Sequence, residues 1–152
     1  MPKIELKTPQ QIQWMREAGL VVAEIHKALR EAAKPGVTLL ELDEVSAEVI
    51  ARNDAKPNFL GYGGFPATVC ISVNDTVVHG IPDQTKLKEG DLVSFDCGAY
   101  IERAGQEWHG DAAFTMIVGG DEAGSAKARR LNKATEDAMW AALASVATGH
   151  RI

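Results

Sequence analysis

Two aspartates are the residues of this sequence best placed to do chemistry. Asp96 interrupts the apolar run Leu92-Val-Ser-Phe-Asp-Cys-Gly-Ala99, and Asp111 opens a second run, Ala112-Ala-Phe-Thr-Met-Ile117. In the first, Val93, Phe95, Cys97 and Ala99 alternate with Leu92, Ser94, Asp96 and Gly98; in the second, Ala113, Thr115 and Ile117 alternate with Ala112, Phe114 and Met116. That period of two is the mark of a strand. A polar connection, Glu102-Arg-Ala-Gly-Gln-Glu107, folds the two strands into a hairpin, with Gly105 suited to a positive φ. A turn near Arg103 and Ala104 predicts Asp96 directly opposite Asp111, on one face, with Cβ atoms about 4.5–5.5 Å apart. Carboxylates so placed repel, and a shared proton, a nearby cation or a bridged metal must offset the repulsion. Hard oxygen donors on adjacent strands make half of a metal site. The plain alternative is a pair of aspartates solvated separately, and it stays open at this point. What favours the site is that Asp96 breaks an otherwise apolar strand.

Three further stretches carry chemical potential. His79 ends the short strand predicted at Thr76-Val-Val-His79, beside the turn Gly80-Ile-Pro-Asp83; a lone histidine there is structural more often than functional. Asn58-Phe-Leu-Gly-Tyr-Gly-Gly-Phe-Pro66, with its glycines, aromatics and proline, reads as a shaped loop. It is either a surface loop with buried aromatics or an apolar pocket wall that includes Tyr62 and Phe65. Cys70 and Cys97 both fall in strand-like runs, with no sign of a disulfide framework, so a reducing, cytoplasmic setting is expected.

The elements that must position these residues are legible in order. Thr8-Pro-Gln-Gln11 is a capping box opening a helix whose apolar face is Ile12, Met15, Gly19, Val22, Ile25 and Leu29. His26 lies beside that face as a packing or surface residue. Lys34-Pro-Gly36 stops the helix. A second capping box, Thr38 to Glu41, opens another helix with the stripe Leu39, Leu42, Val45 and Val49, which fades at Asn53 to Pro57. Ala67 to Val73 alternates as a strand, and Asn74-Asp75 signals a turn. A long alanine-rich helix is expected from about Ser125 to Thr148, burying Leu131, Ala134, Ala138, Ala142 and Val146, with Gly149 as its C-cap. No internal repeat or second domain is visible.

Length and composition fit one globular domain: 152 residues, 45% hydrophobic and 24% charged. The formal net charge of −5 and the scattered basic residues argue against a phosphate-binding footprint, so no nucleic-acid partner is expected. The first residues lack the apolar core of a signal peptide, and no apolar run approaches a membrane span.

Taken together, Gly61-Tyr-Gly-Gly-Phe-Pro66, Val69-Cys-Ile-Ser-Val-Asn74, Val78-His-Gly-Ile-Pro82, Asp91-Leu-Val-Ser-Phe-Asp96 and His109-Gly-Asp111 resemble the type I methionine aminopeptidases over the whole chain, in order. The resemblance implies an α+β pita-bread fold, an antiparallel sheet with helices on one face, here incomplete. It implies removal of the initiator methionine from nascent proteins whose second residue is small. It implies two divalent metal ions (Co, Mn, Fe or Zn) held by two aspartates, a histidine and two glutamates. Asp96 falls on the bidentate bridging aspartate, and Asp111 on the second bridging aspartate. His79 falls on the histidine that contacts the substrate. Cys70, Tyr62 and Phe65 fall on the wall of the methionine side-chain pocket. The partners implied are N-terminal methionyl peptides, with ribosome proximity left open.

This sequence departs from the family pattern in three places. Gly63 stands where many relatives carry histidine, and Ala112 and Ala113 stand where many carry hydroxyl residues. The family's metal-binding histidine and both glutamates fall beyond Ile152, and His26, His109 and His150 do not match them. Residues 1–152 are therefore expected to be the first part of a single domain, inactive alone, with sheet edges open to association. The competing readings are a catalytically dead pita-bread protein that binds peptides or partners, and an X-Pro dipeptidase relative. Retention of Asp96, Asp111 and His79 weighs against the first, and the Cys70 strand and the Val78–Pro82 turn weigh against the second.

Overall fold

In a computed structural model, residues 5–146 are described. Helix α1 (Pro9–Ala32) and helix α2 (Leu39–Arg52) lead into a short strand β1 (Lys56–Pro57). Strands β2 (Val69–Val73), β3 (Leu92–Arg103) and β4 (Gln106–Ile117) follow, and helix α3 (Ala126–Ser145) comes last. Both capping boxes form: Thr8 accepts from the Gln11 amide and Thr38 from the Glu41 amide, and each partner side chain returns to the cap backbone. These bonds satisfy amides that the first turn of a helix leaves free.

All pairings in the sheet are antiparallel. β3 is central, with β1 and β2 along one side and β4 along the other. The alternation expected for β3 holds: Val93, Phe95, Cys97 and Ala99 point into the core, where α1 and α2 cover them. Phe95 stacks on Phe114, their ring centres 5.0 Å apart. Ser94, Asp96, Gly98 and Tyr100 face the other way, together with Thr115, Ala113, Asp111 and His109 of β4. That second face is the one on which the candidate residues gather.

Three expectations are corrected. The hairpin turns one residue later than predicted, at Ala104-Gly105, with φ of 53° and 74°. Arg103 pairs with Gln106, so Asp96 lies opposite Ala113 and Asp111 opposite Gly98. Positive φ at both central residues gives the turn whose twist matches the strands, and Gly105 takes its second place. Thr76 to His79 is not a strand; the segment turns off β2 with a bond from Thr76 to Val73 (3.1 Å) and returns beside it with one from Ile71 to Gly80 (2.9 Å), and His79 sits at φ 56°. The helix stripes also shift. On α1 the buried residues are Ala18, Val21, Val22, Ile25 and Leu29, while Ile12 and Met15 are exposed. On α3 nothing is buried: Leu131 and Val146 of the expected face are exposed, because among the described residues α3 packs sparsely, mainly against β4. The helix ends at Ser145; Thr148 and Gly149, its expected last residue and cap, lie outside the described residues.

Candidate functional site

Register places the site. Cys70 pairs with Asp96 across β2 and β3, so its thiol shares the face of the carboxylate, whereas Cys97 points into the core. Asp111 lies two residues along from the position opposite Asp96. Such diagonal neighbours are about 7–8 Å apart, wider than the direct opposition expected from sequence. Their charges still couple. Burial first, and then the negative charge of Asp111, raises the carboxyl of Asp96 above its usual range, while His79 and His26 pull it down. His79 is thus within electrostatic reach of Asp96 although the two are far apart in sequence.

His79 owes its place to its neighbour. The Gly80 amide donates to the Ser72 hydroxyl at 3.2 Å, and the Gly80 carbonyl accepts from Ile71 at 2.9 Å. A Cβ on Gly80 would collide with the Ile71 carbonyl, so only glycine lets this turn press onto β2. His79, in the left-handed region, then projects from the turn and is exposed. A second anchor holds the start of β2. Asp43 of α2 accepts from the Thr68 amide and hydroxyl, both at 2.7 Å, immediately before the strand that carries Cys70.

Cys70 is a buried, neutral thiol. Burial, then the negative charges of Asp96 and Asp111, push it up to about 11. An un-ionised sulfur suits an apolar slot. The aromatic loop is closed on itself by bonds from Gly61 to Phe65 (2.8 Å) and from Tyr62 to Phe59 (2.9 Å), and Phe59 meets Phe65 edge to face. Phe65 is half-buried there. Tyr62 is 82% exposed, and among the described residues no hydrogen bond of its hydroxyl is seen.

Two mutually repelling carboxylates on adjacent strands are hard oxygen donors suited to a divalent cation. Among the described residues, however, no group of three or more His, Cys, Asp and Glu side chains comes together to hold one. The fit is that of part of a site. His109, on the same face, donates from Nδ1 to Asn58 Oδ1 at 3.0 Å, and His26 donates from Nε2 to the Ala112 carbonyl at 3.0 Å; neither completes the set.

Sequence reasoning missed Asn58, Asp43 and Gly80. Asn58 and Asp43 act on partners distant in the chain, and only the glycine before Ile81-Pro82 left a local trace.

The pattern of metallopeptidase family M24 matches residues 13–152. The chain is 46% identical over 143 residues to methionine aminopeptidase 1 of Mycobacterium tuberculosis, covering 91% of this chain and 50% of that protein. It is 40% identical over 150 residues to a methionine aminopeptidase of Clostridium acetobutylicum, covering 98% and 57%. The methionine aminopeptidase structure from Thermotoga maritima superposes with a TM-score of 0.83 at 35% identity, over 95% of this chain and 55% of that one. The fold extends to a prolidase from Pyrococcus furiosus, with a TM-score of 0.70 at 21% identity. The antiparallel sheet with its helices is therefore part of the pita-bread fold, and the chain spans about half the length of the curated relatives it matches. Among the described residues no helix is long and apolar enough to cross a membrane.

Proposed function

The chain belongs to metallopeptidase family M24, and from that premise we propose that it is the first part of a methionine aminopeptidase domain. In this reading the whole domain removes N-terminal methionine from peptides and nascent chains whose second residue is small. The observation that carries it is the shared face of Asp96, Asp111 and Cys70, with His79 held beside it by Gly80. Asp96 and Asp111 would hold the divalent cation side of the site. The cations, when bound, supply Lewis-acid polarisation and a water ionised at neutral pH. His79 donates a hydrogen bond to the substrate amide or its oxyanion, a role that needs an exposed side chain at the mouth of the site. Cys70 and Phe65 present the apolar surface for a thioether side chain, and Tyr62 borders it from the solvent side. The carboxyl of Asp96, raised by burial and by Asp111, is the charge that a cation would relieve.

Among the described residues the set of donors falls short of a tight transition-metal site. The proposal assigns the remaining donors to further polypeptide, and expects no methionine release from these residues alone. The test is a chimera in which residues 1–152 replace the matching half of the Mycobacterium tuberculosis relative. With Mn²⁺ or Co²⁺ it should release methionine from a Met-Ala peptide and leave an X-Pro dipeptide intact. Asp96→Asn and His79→Ala should each lower kcat/KM by at least about 100-fold. A folded chimera that cleaves only the X-Pro substrate, or whose activity ignores Asp96→Asn, overturns the reading.

A further inference from the structure

Asn58 sits where three parts of the site face meet. Its amide nitrogen donates to the Gly98 carbonyl at 3.0 Å, which extends the β1 ladder onto β3. Its side chain crosses to β4: Nδ2 donates to the Gly110 carbonyl at 3.3 Å, and Oδ1 accepts from His109 Nδ1 at 3.0 Å. Those two partners immediately precede Asp111. The side chain crosses directly over Gly98, the cross-strand partner of Asp111; a Cβ on Gly98 would come within 2.7 Å of Asn58 Nδ2. Asn58 also begins the aromatic loop that continues through Phe59 to Phe65. One residue therefore ties that loop, β3 and the approach to Asp111 together.

We propose that Asn58 is a positioning residue that fixes the Asp111 carboxylate, and that Gly98 is glycine to let it cross. The inference rests on the reading of Asp96 and Asp111 as cation donors. The chemistry explains why such a clamp is wanted. Among the described residues β4 pairs in the sheet only with β3; on the core side α1 packs against Gly110 and His26 donates to the Ala112 carbonyl, and on the face that carries Asp111 it is Asn58 that holds Gly110 and His109. Two diagonal carboxylates must be kept at a set separation to share a cation, and their own repulsion drives them apart. A side-chain amide supplies both the donor that Gly110 needs and the acceptor that His109 needs; neither aspartate nor leucine of similar size supplies both.

The experiment follows ¹⁵N-labelled residues 1–152 by NMR while Mn²⁺ is added, reading paramagnetic broadening at individual amides, with the melting temperature recorded in parallel. In the parent protein broadening should centre on Asp96–Gly98 and Asp111–Ala113. Asn58→Ala should raise the Mn²⁺ needed for half-broadening at Asp111 by at least about threefold, with a smaller change at Asp96. Gly98→Ala should do the same, and the double variant should be no worse than Asn58→Ala. A purely destabilising pair of changes would instead add. His109→Ala, which removes one partner of Asn58 and leaves the loop untouched, should shift the midpoint in the same direction, and it keeps the test decisive if Asn58→Ala does not fold. Parent-like midpoints in Asn58→Ala and His109→Ala, with broadening abolished by Asp96→Asn, overturn the positioning role alone. Broadening that is insensitive to Asp96→Asn overturns the cation reading beneath it.

Discussion

Asp111 stands opposite Gly98 and not opposite Asp96. The two carboxylates share a face as diagonal neighbours, and the position facing each is small: Gly98 for Asp111, Ala113 for Asp96. Neither facing position on β3 or β4 carries a large side chain, and the Asn58 side chain crosses over Gly98. Direct opposition would have pressed the charges together; the diagonal leaves room for a cation at moderate repulsion.

That repulsion has a measurable sign. The carboxyl of Asp96 is raised in the folded state, by burial and by Asp111. A raised acid favours folding while it is protonated, in full below its unfolded value, and that contribution is lost as pH rises through the folded value. Asp96→Asn should therefore stabilise the metal-free protein near neutral pH. The gain should be roughly 0.2–1 kcal/mol, toward the lower end because both carboxylates are partly solvated. It should shrink as pH falls through the raised folded value of Asp96 and be gone below the ordinary range of an aspartate. Thermal melts of both proteins across that pH range check it, and a gain that grows toward acid pH contradicts it.

Cys70 is expected to be inert. With its thiol pushed up to about 11, on the order of one in a thousand is ionised at pH 8. Cys97, deeper still, is pushed up to about 12. Iodoacetamide should leave both unmodified in the folded protein at pH 8 and label both in urea. Mass spectrometry reads the outcome, and rapid labelling of native Cys70 would remove it from the neutral apolar wall.

The seating of α1 on β4 depends on Gly110. A Cβ there would lie 2.7 Å from the Ala18 carbonyl group and from the Gly19 amide nitrogen. Backbone cannot yield as a flexible side chain does, so Gly110→Ala should cost about 1–3 kcal/mol by overpacking. The urea midpoint reports it; an unchanged midpoint would mean that α1 sits farther from β4.

What could be read from the sequence was local. Thr8 with Gln11 and Thr38 with Glu41 declare their helices because a capping box needs only residues three apart. The alternation around Asp96 declared its strand and both of its faces. The register was missed by one turn position, since nothing in Ala104 announces that it will take φ 53°. His79 was assigned to a strand because Thr76-Val-Val looks extended; its real conformation is set by Gly80 against β2, a contact made across the fold. The face of α3 was misjudged for a related reason. Its apolar residues are arranged for burial, but burial depends on what lies against the helix. The motif around Tyr62 was legible, but its exposure was not, because that is set by the bonds that close the loop. Asn58 left no signal, as its partners Gly98, His109 and Gly110 are brought to it only by the folded sheet.

The central claim is that Asp96 and Asp111 together hold a divalent cation, and Mn²⁺ binding followed by electron paramagnetic resonance tests it most directly. Residues 1–152 should deplete the signal of free Mn²⁺ in a saturable way, and the Asp96→Asn/Asp111→Asn variant, folded to the same helical content, should not. Equal depletion by both proteins would contradict the account.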